Sequence, residues 1–186
     1  YSYTEKTAPK WTLKVNGELV RAEVVKGFVE INRTWVAGDV IELDLPMDLR
    51  FSVCDDKVVD NRGRVSVTRG PLVMCAEEAD NNGAVQRFYI PELPSNDRCA
   101  VAHIEEGILE GSPIVSVPAV EIVDGESRST ELKFIPYLSW NNRGNATMIV
   151  WLPSAVEGAQ AQLDRVHFDP AKYGTITASS CAADGV

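Results

Sequence analysis

Along the first fifty residues apolar and polar side chains take turns. Trp11, Leu13 and Val15 alternate with Thr12 and Lys14, a period of two that gives a strand one apolar face. Asn16-Gly17 follows, and both residues tolerate positive φ, so the pair is a strong hairpin signal. A two-residue loop there sets Leu13 opposite Val20 and Trp11 opposite Ala22, with all four on one face. Lys26-Gly27 makes the next turn, and Phe28 to Trp35 alternates again through Val29 and Ile31. After Ala37-Gly38-Asp39, Ile41, Leu43 and Leu45 face one way and Glu42 and Asp44 the other, until Pro46 ends the strand. Leu49 to Cys54 is a further strand.

The stretch from Asp60 to Cys75 organises the rest. Asn61 to Gly63 reads as a turn, and Arg64 to Thr68 alternates as a half-buried strand does. Gly70-Pro71 interrupts it, since proline has no amide hydrogen for a ladder. Leu72 to Cys75 is an apolar run that must go inside. A buried strand on each side of that break predicts a crossing between two sheets. Glu77 to Ala84 reads as a polar loop and Phe88 to Pro91 as a short strand. Cys99–Ile104, Ile114–Val123, Thr130–Leu138 and Ala146–Leu152 are further strands, with an Asp124-Gly125 turn between the second and third. In the last of these Met148, Val150 and Leu152 are expected on a core face, Ile149 and Trp151 opposite. No stretch keeps an apolar period of 3.6 for a dozen residues. The pattern therefore predicts an all-β chain, an antiparallel β-sandwich that is jelly-roll-like or two small sandwiches, with very little helix. The expected organisation is a sandwich region over 1–153, with a sub-boundary near 46–60. Over 154–186 a linker (Ser154 to Ala161) leads to the first strand of a truncated further module, Ile176 to Cys181.

Composition narrows the partners. The 186 residues are 45% hydrophobic, enough for a real core, and no apolar run nears the roughly 18 residues of a membrane span. A net charge of -9 argues against nucleic acid or an anionic membrane. Cys54, Cys75, Cys99 and Cys181 are scattered, with no C-x-x-C pair, and His103 and His167 stand alone, so the spacing argues against a zinc site here. An even cysteine count permits disulfides without demonstrating one. The chain opens on Tyr1 and goes almost at once into a strand, which reads as a piece of a longer protein.

Candidate chemistry is sparse. Asp55, Asp56, Asp60, Glu77, Glu78, Glu105 and Glu106 are plentiful enough for a carboxylate pair, but they sit at turns or outward positions and read as a solvated face. The other distinctive segment is Pro136 to Gly144. Tyr137 and Trp140 could stack on a sugar ring while Asn142 and Arg143 bind its hydroxyls. The alternative is that the two rings anchor the loop in the core or against a neighbouring domain. Trp11, Trp35 and Trp151 lie on expected strands and read as packing residues.

Several motifs in order carry a family resemblance. Val15-Asn16-Gly17-Glu18, Phe28 to Trp35, Gly38 to Met47, Arg64-Val65 through Arg69-Gly70-Pro71-Leu72-Val73, and Ile135-Pro136-Tyr137 through Trp140-Asn141-Asn142-Arg143-Gly144 to Leu152 resemble the C-terminal part of glycoside hydrolase family 127, the β-L-arabinofuranosidase family. The resemblance covers roughly Trp11 to Pro153. It implies a multidomain enzyme whose (α/α)6 barrel carries catalysis through a zinc ion, a glutamate and cysteines. None of those residues maps here, so no catalytic or metal residue and no cofactor is expected in this chain, with zinc left to the missing barrel. The implied role is a non-catalytic sandwich whose partner is its own catalytic barrel. A glycan ligand and a homo-oligomer contact are the alternatives. Periplasmic or secreted localisation follows from the family alone.

Overall fold

A computed structural model describes residues 1–6, 10–144 and 146–166. His167, Cys181, the glycosylation-type Asn145 and the expected strand from Ile176 lie outside the described residues. The first unit is small. Strands β1 (Ser2–Tyr3), β2 (Thr12–Val15), β3 (Glu18–Leu19), β4 (Val24–Val25), β5 (Phe28–Val29) and β6 (Ile41–Asp44) come before Met47. β3, β2 and β6 form a three-stranded antiparallel sheet, and β4 pairs with β5 alone. Asn16 (φ 53°) and Gly17 (φ 80°) make the two-residue turn, and the Val20 amide donates to the Leu13 carbonyl, the register expected from the apolar pattern. The Asn16 side chain then ties the turn to the next loop, donating to Asp39 at 2.8 Å and accepting from the Val40 amide. The strand expected from Phe28 to Trp35 is only Phe28–Val29; beyond it the chain runs without ladder partners and Trp35 is exposed.

The second unit is the sandwich. Its strands are β7 (Leu49–Val53), β8 (Arg64–Arg69), β9 (Leu72–Glu77), β10 (Phe88–Tyr89), β11 (Ala100–His103), β12 (Pro113–Val123), β13 (Glu126–Pro136), β14 (Met148–Ile149) and β15 (Leu152–Pro153), with helices α1 (Glu78–Asn81) and α2 (Val156–Val166). Leu49, Phe51, Val65 and Val67 from β7 and β8 pack into one cluster with Val115, Val117, Leu132 and Phe134 from β12 and β13. The other face of β12 is apolar too. Ile114 is covered by the 104–109 loop through Leu109, while Val120 and Ile122 lie under α2.

β9 joins the two layers. It pairs with β8 only at Thr68↔Val73 and Arg69↔Leu72, then with β13 at Ile135↔Cys75 and Pro136↔Met74. Gly70-Pro71 is thus the two-residue loop of a hairpin whose second strand leaves for the other layer. Glycine sits at the first loop position with φ 54°. A Cβ on Gly70 would also lie 2.5 Å from the Met47 sulfur. Gly70→Ala is expected to cost about 1–2 kcal/mol, from the left-handed backbone and the displaced methionine together. Thermal melts of the two chains would measure it.

Two expectations are corrected here. Ala146 to Leu152 is not one strand: β14 pairs with β9 and β15 with β8, so the chain bends at Val150-Trp151 as it changes layer. The side-chain parity shifts with it. Ile149 packs on the main core beside Leu152, and Met148 and Val150 pack on the outer cluster. Ser154 to Ala161 is not a linker either, since α2 starts at Val156. Ala, Glu, Gln and Leu favour helix, and Ala159 is fully buried against Tyr89 and Ile122. Gln162 secures the helix, donating to the Gln86 carbonyl and accepting from Arg64, both at 2.7 Å. The helical stripe is hard to see in the sequence because one of its positions is a buried glutamine.

Candidate functional site

β13 ends at Pro136, and the chain makes a single 3-10 turn over Tyr137–Ser139. The Trp140 amide donates back to the Tyr137 carbonyl, which brings the two rings together. Their centroids are 6.1 Å apart with planes 21° from parallel. Leu138 between them is 75% exposed, and Tyr137 and Trp140 are 46% and 37% exposed. The turn therefore presents an apolar ledge of three side chains.

The polar candidates point elsewhere. Asn142 donates its amide to the Ser139 carbonyl at 3.0 Å, inside its own loop. Arg143 lies between two carboxylates: it donates to Glu77 at 2.6 Å and to both oxygens of Asp80, one at 2.8 Å. The second Glu77 oxygen accepts the Asn141 amide at 3.3 Å. Asn141 has φ 63°, a turn conformation that asparagine tolerates. Glu77 has no exposed surface, so it is not part of a solvated face. A buried carboxylate needs a partner, and Arg143 supplies the charge. Asp80's hydrogen bonds and then Glu77's hold the Arg143 guanidinium above its ordinary pKa, against burial.

The same corner fixes the far side of the loop. Glu78 accepts from the Thr147 hydroxyl at 2.8 Å and from its amide, and these bonds lower its pKa. Asn81 reaches the neighbouring strand, donating to the Lys133 carbonyl at 3.0 Å and accepting the Lys133 amide at 2.8 Å. Cys75, two residues before Glu77 on the same strand, is buried; that burial, then the charges of Glu77 and Asp80, pushes its thiol up to about 12. It behaves as a packing group, not a nucleophile. Cys54, Cys75 and Cys99 are free thiols, and among the described residues no group of His, Cys, Asp and Glu could hold a metal. A zinc ion therefore does not fit these residues.

The sequence pattern points to the loop but misses Glu77, Asp80 and Asn81. The signal available is the position of Glu77 itself. An acid that continues an uninterrupted apolar strand, two residues after a buried cysteine, faces the same interior as that cysteine.

Fold and loop together define a β-sandwich module preceded by a short strand unit, its surface loop pinned by a buried ion pair. The module has a known kin: this chain belongs to glycoside hydrolase family 127. Residues 49–153 match the family's C-terminal domain, and residues 6–47 match the β-L-arabinofuranosidase middle domain. The two matches meet at Asp48, where the Gly70 amide donates to the Asp48 carbonyl. A non-reducing end β-L-arabinofuranosidase of Bifidobacterium longum subsp. longum is 34% identical over 157 residues, covering 76% of this chain and 23% of that protein. A solved family 127 β-arabinofuranosidase has 32% identity and a TM-score of 0.74, over 84% of this chain and 25% of that one. The solved β-L-arabinofuranosidase of Geobacillus stearothermophilus T6 has 26% identity and a TM-score of 0.67, over 77% and 24%. The chain thus spans about a quarter of the length of these relatives.

Proposed function

We propose that this chain is the non-catalytic sandwich region of an arabinofuranosidase, and that its Tyr137–Trp140 ledge packs against the catalytic domain. The observation that carries the reading is the destination of the loop's polar groups. A sugar site needs convergent donors and acceptors beside its aromatic face. Here Arg143 and Asn142 are committed to holding the loop, and each ring shields one face of the other. What remains outward is apolar and rigidly held, which suits a protein surface more than a glycan. The parent's activity on arabinofuranosyl glycans, and a zinc ion in its barrel, belong to this reading as family features.

The test is a comparison of Leu138→Asp in two contexts. In the 186-residue chain, Leu138 is on the surface and the change is expected to alter stability by less than about 0.5 kcal/mol. In the full-length enzyme the same change buries a charge at the contact, and a loss of about 2 kcal/mol is expected with a matching fall in activity. Equal, small effects in both would remove the docking role. Quenching of Trp140 fluorescence by arabinose, or hydrolysis of an aryl arabinofuranoside by the chain alone, would overturn the reading.

A further inference from the structure

The first unit leaves one face of its sheet bare. Cross-strand partners lie on the same side of a sheet, so Leu13 opposite Leu43 and Val15 opposite Ile41 form one apolar face. Leu13 and Val15 are buried at its centre, yet Ile41, Leu43 and Leu45, on and just after β6, are 54–57% exposed. The β4–β5 hairpin, with Phe28 75% exposed, stands beside them. Between sheet and hairpin runs a groove of about 490 Å³, its walls including Leu13, Val29, Ile31 and Leu43. β6 is also the end strand of its sheet, so among the described residues its outer backbone groups have no partner strand.

An apolar groove beside an open strand edge fits an extended segment that adds a strand and lays alternate side chains inward. Other occupants fit worse. Sugar hydroxyls would find only the Trp11 indole N–H among the side chains of the groove walls. A second copy would bring two chains of net charge -9 together. About three quarters of each relative's length lies outside the matched region, and the first unit matches a domain described as a middle one. A three-stranded sheet needs a covered face to be stable alone.

We propose that the β6 edge and its groove are completed by a strand-forming segment of the same polypeptide, outside these 186 residues, with apolar side chains at alternate positions. The first unit is then half of a domain, while the unit beginning at Leu49 carries its own core. The contact is separate from the docking of the Tyr137–Trp140 ledge, because it involves the other unit and another surface.

Amide hydrogen exchange on the 186-residue chain and on the full-length protein tests it. Amides of β4 to β6 are expected to exchange roughly 100-fold more slowly in the full-length protein. Those of Val67, Val117 and Phe134 should be slow in both. Leu43→Asp in the full-length protein should abolish the added protection and leave the sandwich amides unchanged. Equally fast exchange of β6 in both proteins would overturn the proposal. So would protection in the short chain that rises with concentration alongside a dimer mass in sedimentation, which assigns the groove to a second copy. Slowing that appears only on adding arabinose would assign the groove to a ligand and overturn the proposal as well.

Discussion

Phe134→Ala is expected to cost about 4 kcal/mol, the larger of the two biggest losses foreseen for this chain. Phe134 has no exposed surface, and it lies opposite Val115 in the main cluster. Truncation removes the ring's burial and leaves a space that paired strands on both sides prevent from closing. In a chain of this size each kcal/mol moves the melting temperature by about 2–4 °C, so a fall of about 12 °C is expected. Urea unfolding followed by tryptophan fluorescence would measure it. Val101→Ala, at a 43% exposed position on β11, serves as the control and should cost under about 1 kcal/mol.

Arg143→Ala comes next, at about 3 kcal/mol. Breaking a buried pair by removing one partner costs about 3–5 kcal/mol, because the remaining charge stays buried. The lower end applies, since Arg143 keeps a quarter of its side chain in solvent. Glu77 cannot turn outward, as its strand is paired through β14 at Met148. The double variant Glu77→Gln, Arg143→Met should recover most of the loss, because it leaves no orphaned charge at Glu77. Arg143→Lys should recover only part, since an ammonium cannot serve both carboxylates in one plane as guanidinium does. Chemical denaturation of the parent chain, the two single variants Glu77→Gln and Arg143→Met, and their double gives the coupling energy. A coupling near zero would mean that the corner is held by Asn81 and Thr147 instead.

These two positions also mark what the sequence can and cannot disclose. Phe134 sits in a strand that alternates and begins at a two-residue Asp-Gly turn, and both features are local. Antiparallel pairing of β12 with β13 through Asp124 and Gly125, at φ 53° and 84°, is legible from residue type alone. So is the Asn16-Gly17 register. Glu77 and Arg143 are 66 positions apart, and their pairing depends on β9 crossing between layers. No local pattern encodes such a meeting. A carboxylate before a polar loop reads as solvated until the partner strand is known. The two aromatic residues mark the loop as distinctive, but the direction of Arg143 and Asn142 is not readable from residue type. The α2 helix is hidden for a related reason. Its buried face is Ala159 and Gln162, small and polar residues whose interior position follows from packing on β10 and β12.

Asn81 has one further consequence. The outer margin of β13 at Lys133 offers an amide and a carbonyl that another molecule's strand could take up. A single carboxamide occupies both, imitating the rung of a ladder that is never extended. Repeated side-by-side addition of copies has no symmetry that closes it, and it runs on into fibres. By filling that one rung, the protein stops such growth at its first step.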